Sequence, residues 1–115
     1  MKIDKYEFGE IYIDGKKYNT DVIIFPDKVE SNWWRKEGHS LCLEDLREVL
    51  GYKCDIIVIG TGMNNMMEVK DEVIKYFRRK NIEIVINTTT DACKTYNKLT
   101  ERGDKIVIAC LHLTC

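Results

Sequence analysis

The chain predicts an α/β fold in one domain spanning residues 1–115, an antiparallel β-hairpin followed by a β-α-β-α-β half. Three observations predict it. Asp14-Gly15 stands between two β-prone runs, residues 8–13 and 16–18, as a tight type I′ hairpin requires. From Leu43 onward apolar residues recur at helical spacing. Between those helices lie short runs with no polar residue on either face, residues 56–59 and 106–111, which is how buried parallel strands read.

Each element follows in order. After the hairpin, Val22-Ile23-Ile24-Phe25 forms a third strand that stops at Pro26, which cannot donate to a ladder and holds Phe25 extended. Leu43, Leu46, Val49 and Leu50 share one helical face, and Gly51 supplies the stop. The strand at 56–59 runs into Gly60-Thr61-Gly62-Met63. A second helix covers roughly residues 70–80, with Val69, Val73, Ile74 and Phe77 as its stripe. Residues 82–86 form a β-branched strand, and Thr88-x-x-Asp91 then resembles a capping box. The third helix turns Ala92, Tyr96 and Leu99 inward and ends at Gly103 before the last strand. Short helix-to-strand links make the three later strands parallel with right-handed crossovers, which place both helices on one face unless the strand order reverses. The N-terminal strands then cover the opposite face or extend the edge.

Composition narrows the function classes. Lys and Arg number 18 against 19 Asp and Glu, so no global field draws the chain to nucleic acid. The basic run Arg78-Arg79-Lys80 closes a helix, where cations are favoured anyway. No apolar stretch is long enough to span a bilayer, and the charged start Met1-Lys2-Ile3-Asp4-Lys5 is unlike a secretory signal, so a cytoplasmic location is expected. The five cysteines include no Cys-x-x-Cys pair and read as reduced thiols packed as small hydrophobes. No cofactor and no metal site is expected.

Chemistry is expected beyond the carboxyl ends of the parallel strands, where ligands gather in open α/β sheets. Three turns converge there: Gly60-Thr61-Gly62-Met63, Asn87-Thr88-Thr89-Thr90, and His112-Leu113-Thr114-Cys115. The loop Asn32-Trp33-Trp34-Arg35-Lys36-Glu37-Gly38-His39 is long enough to fold over them. Arg35 either clamps a carboxylate or phosphate or stacks on a neighbouring indole. Adjacent side chains of an extended segment point oppositely, so one of Trp33 and Trp34 belongs to the core and the other is free to line a pocket or anchor a partner. Gly60-x-Gly62 lacks the third glycine of a dinucleotide fingerprint and reads as a tight turn, although free N–H groups in such a turn bind anions. His39 and His112 are an acid, base or donor each, or structural hydrogen-bonding residues; neither has metal-ligand spacing. Cys42 and Cys115, each three residues past a histidine, invite a thiol reading that Cys115, at the end of the sequence, serves poorly. Tyr96 with Asn97 is the usual pairing of a buried ring and a polar neighbour, and Met63, Met66 and Met67 form a malleable apolar group, either core or partner surface.

Taken in order, these residues resemble a small domain family of unknown function that includes the animal adipogenesis-associated Mth-domain protein and a mitochondrial complex I assembly factor. The resemblance rests on Trp33-Trp34-Arg35 with Gly38-His39, on Ile59-Gly60-Thr61-Gly62-Met63, on residues 90–92 with Tyr96, Asn97 and Leu99, and on His112-Leu113-Thr114-Cys115. It implies a three-layer β/β/α domain with a mixed central sheet. It carries no established enzymatic activity, and some members resemble assembly or regulatory factors acting through protein contacts.

Two functions compete. The first is a non-enzymatic module for protein interaction, assembly or regulation, with an unidentified protein partner or a second copy of the chain. The second is a small-molecule site, enzymatic or not, for a carboxylate or phosphate held by Arg35 and the 60–63 turn. The composite site for either is Trp33, Trp34, Arg35, Gly38, His39, Gly60, Thr61, Gly62, Met63, Thr88, Thr90, Tyr96 and His112.

Overall fold

Asp14 and Gly15 both take positive φ, 49° and 80°, the backbone a type I′ turn demands. In the computed structural model, which describes residues 1–115, this turn joins β2 (Glu10–Ile13) to β3 (Lys16–Tyr18). β1 (Ile3–Glu7) pairs antiparallel with β2, making a three-stranded sheet in the order β1-β2-β3. β1 carries no strand signal in the sequence, because alternating charges surround Ile3, its one fully buried residue.

The central sheet has five strands in the order β5-β4-β10-β7-β9. These are β4 (Val22–Ile24), β5 (Val29–Glu30), β7 (Ile56–Thr61), β9 (Glu83–Asn87) and β10 (Val107–His112). β10 runs parallel to β7 and antiparallel to β4, so the sheet is mixed. β7 and β10 are buried along their whole length, as unbroken apolar runs require.

Helix α2 (Asp71–Arg79) links β7 to β9, and α3 (Thr89–Arg102) links β9 back to β10 on the far side of β7. The strand order therefore reverses, and right-handed crossovers in opposite directions put the two helices on opposite faces. Packing agrees. Val107, Ala109 and Leu111 of β10 join Ala92, Cys93 and Tyr96 of α3 and the inward residues of the N-terminal sheet. Ile108 and Cys110 join Val73 and Phe77 of α2 with Leu46 and Val49. One outer layer thus combines the N-terminal sheet with α3; the other holds α2, the helical turn at Leu43–Leu46 and α1 (Arg47–Leu50). The first expected helix is mostly 3-10 in character, with only residues 47–50 α-helical. A short parallel ladder between β6 (Ser40–Leu41) and β8 (Glu68–Val69) ties the aromatic loop to the segment after β7.

Candidate functional site

Thr88 caps α3 by accepting from the Asp91 amide at 3.4 Å, and the Thr88 amide donates to Asn87 Oδ1, so only half of the expected capping box forms. This start of α3 places Thr89 against the ends of β7 and β10. Its buried hydroxyl donates to the His112 carbonyl and accepts from the Gly62 amide at 2.8 Å. Thr61 Oγ1 donates to the Asn87 carbonyl at 3.0 Å. The three turns do meet at one rim, and Thr89, not the expected Thr88 or Thr90, is the residue that ties them. Thr90 is exposed, and Tyr96 is 1 % exposed in the core and off the rim.

The rim is not an open cradle. The Met63 amide donates to the Thr114 carbonyl at 2.7 Å, and the Met66 and Asn64 amides both reach the Cys115 backbone oxygen, at 3.0 and 3.3 Å. Of the N–H groups that the 60–63 turn offers to an anion, the Gly62 amide is taken by Thr89 and the Met63 amide by Thr114. Gly62 explains how the backbone comes so close. Its φ is +102°, and a Cβ there would lie 2.2 Å from the Cys115 carbonyl carbon and 2.9 Å from His112 Cδ2.

Beside this rim lies a buried charged cluster that includes a residue the sequence did not single out, Asp21. Its Oδ2 is 2.8 Å from Arg35 Nη2 and 2.9 Å from His112 Nδ1, while Oδ1 accepts from the Leu113 amide at 2.7 Å. Arg35 Nη2 also donates to the Gly38 carbonyl at 3.1 Å. Arg35 Nη2 also lies 2.9 Å from His112 Nδ1, so Nδ1 either accepts a hydrogen bond from Arg35 or, carrying a proton, donates to Asp21. His112 Nε2 lies 3.5 Å from Thr114 Oγ1. Burial pushes the Asp21 carboxyl up, but the His112 bond, the Leu113 amide and Arg35 outweigh it and hold the group below its ordinary range. Nothing in the local sequence marks Asp21; it is a single acid before an apolar strand.

The aromatic loop divides as extended geometry demands. Trp33 is buried, donates from Nε1 to the Asp45 carbonyl at 2.9 Å, and carries the Arg35 guanidinium 4.7 Å over its ring. Arg35 therefore both stacks and clamps, and the carboxylate it clamps is internal. Trp34 is 74 % exposed. His39 is exposed with its ring centroid 6.0 Å from that of His112, edge to face, and its carbonyl accepts from Glu68. Met63 and Met66 are exposed and Met67 is buried. Phe8 is exposed too, and the neighbouring Gly9 amide donates to the Leu113 carbonyl, which sets Phe8 near the same tail segment. No group of three or more His, Cys, Asp or Glu side chains is arranged to hold a metal ion. All five cysteines are free thiols. No helix is long and apolar enough to cross a membrane.

A family model described as a protein of unknown function (DUF498/DUF598) matches residues 3–112. Human NADH dehydrogenase (ubiquinone) 1 alpha subcomplex assembly factor 3 is 27 % identical over 106 residues, covering 90 % of this chain and 56 % of the human protein. The Xenopus tropicalis protein of the same name is 27 % identical, covering 86 % of this chain and 54 % of its own length. The chain thus spans about half the length of these curated relatives. Among solved structures, a conserved hypothetical protein from Pyrococcus horikoshii superposes with a TM-score of 0.84 at 29 % identity, covering 100 % of both chains. A Mth938-like domain from Bordetella pertussis, 16 % identical, shares the fold at a TM-score of 0.77 over 97 % of this chain and 85 % of its own.

Proposed function

The chain belongs to the DUF498/DUF598 family of proteins of unknown function, and from that premise we propose a non-enzymatic role as a protein-interaction module of the assembly or regulatory kind. One observation carries the reading. The polar groups of the strand-end rim bond to one another, whereas a large aromatic side chain of the covering loop, Trp34, is left in solvent. Exposed aromatic residues of this kind anchor protein contacts. Phe8, Met63 and Met66 add apolar surface around the 113–115 segment. The assembly-factor name of the curated relatives supports the same role. Five unpaired thiols suit a reducing compartment, which supports placing the protein in the cytoplasm.

The test is affinity capture with the folded domain beside a Phe8→Ser, Trp34→Ala, Met66→Ser variant of matched thermal stability. A stoichiometric protein partner held by the first and lost by the second is the expected result. Equal recovery by both, or none by either at cellular concentration, overturns the proposal.

A second reading, binding of a small carboxylate or phosphate, has one observation in its favour. Arg35 Nε and Nη1 are buried with no acceptor. Asp21 weighs against it, because the guanidinium is already neutralised. A ligand of the folded state raises thermal stability by mass action, so a panel of anionic metabolites that leaves the melting temperature unmoved removes this reading.

A further inference from the structure

Building on the interaction reading, we propose that the groove beside Trp34 seats a cationic side chain, a Lys or Arg on a basic segment of the partner protein.

The groove encloses about 190 Å³ between the aromatic loop and the turn of helix at 43–50, with Trp33 and Trp34 in its wall. That is smaller than the roughly 300–1,000 Å³ of small-molecule sites. It suits one inserted side chain. Four carboxylates line it against two cations, so its field selects a positive group. The carboxylates differ in availability. Asp45 accepts from the Lys36 and Cys42 amides, Glu44 pairs with Lys36, and Glu30 pairs with Lys28. Glu48 is exposed and has no ion pair within the chain, which leaves it free for an incoming cation.

The aromatic rings give the second, independent argument. Trp33, Tyr18, Phe25 and Tyr76 each carry a cation of this chain over the ring. Trp34, far more exposed than Trp33, carries none. An indole is the strongest cation–π acceptor among the side chains, and here it stands at the mouth of an acidic groove. A guanidinium or ammonium entering from a partner would lie against Trp34 with Glu48 as its counter-ion. Arg47, on the rim without an ion pair, is the like charge that such a group must avoid.

The test is an NMR titration of the whole folded chain with capped tetra-lysine, tetra-arginine, tetra-serine and tetra-glutamate peptides at low salt. The Trp34 indole N–H and the amides of Arg47 and Glu48 are expected to shift saturably with the two basic peptides and not with the others. Glu48→Gln is expected to weaken binding by about fivefold, Trp34→Ala by at least as much on the amide readout, and Arg47→Gln to tighten it. No saturable shift, an equal shift with tetra-serine, or wild-type affinity in both weakening variants overturns the assignment. If the basic peptides leave the groove untouched while a captured partner still depends on Phe8 and Met66, the groove assignment falls and the interaction reading stands.

Discussion

Asp21 and Arg35 form an ion pair at 2.8 Å in which the arginine side chain is only 4 % exposed and the aspartate 17 %. The pair pins the aromatic loop to the start of β4 and, through His112 and the Leu113 amide, to the end of β10. Removing one partner leaves the other charge buried and uncompensated. Asp21→Asn is expected to destabilise the fold by about 3 kcal/mol, measured by urea unfolding at neutral pH. A loss within about 0.5 kcal/mol would mean that the cluster contributes little.

The same carboxylate sets an acid dependence. Its folded pKa lies below the unfolded value of about 3.9, so the stabilisation is complete above that pH and is lost as pH falls through the folded pKa. Wild-type stability is expected to decline more steeply below about pH 4 than that of Asp21→Asn. Parallel curves would assign the acid sensitivity to other carboxylates.

Thr89 offers a substitution that isolates hydrogen bonding from shape. Thr89→Val keeps the volume but strands the Gly62 amide and the His112 carbonyl. The expected cost is about 1–3 kcal/mol for each group left unpaired, with Thr89→Ser much nearer wild type. Equal melting temperatures for the two variants would contradict the role of the hydroxyl.

Gly62→Ala meets both a positive φ and a backbone carbon 2.2 Å from the new methyl. The expected loss is about 3 kcal/mol or more, with the amides of Met63 and Met66 losing hydrogen-exchange protection as the tail segment is displaced. Gly15→Ala, strained at φ +80° but facing open space, is expected to cost less.

The thiols divide by depth. Burial pushes Cys93 up to about 12 and raises Cys54 and Cys110 as well. Only Cys42 and Cys115 have partly exposed side chains. A thiol reagent at pH 8 is expected to label those two rapidly and the other three only on unfolding. Fast reaction of Cys93 in the folded protein would contradict the packing around α3.

Much of this protein was legible along the chain. Asp14-Gly15, the unbroken apolar runs of β7 and β10, and the caps Thr88 and Gly103 mark local structure because turn φ values, burial on both faces and helix ends are decided by neighbouring residues. The opposition of Trp33 and Trp34 followed from extended geometry alone. The meeting of Gly62 with His112 followed from strand direction.

What the tertiary structure alone decided is pairing over long separation. Strand order reverses because β10 settles between β4 and β7, which sends α2 and α3 to opposite faces. Asp21 lies 91 residues from His112, and Thr89 lies 27 from Gly62, so neither partnership leaves a local pattern. Local periodicity records which face of an element avoids water. It does not record which charge will neutralise Arg35, or that residues 114 and 115 will occupy the amides of Met63, Asn64 and Met66, because those outcomes depend on elements brought together only by the finished sheet.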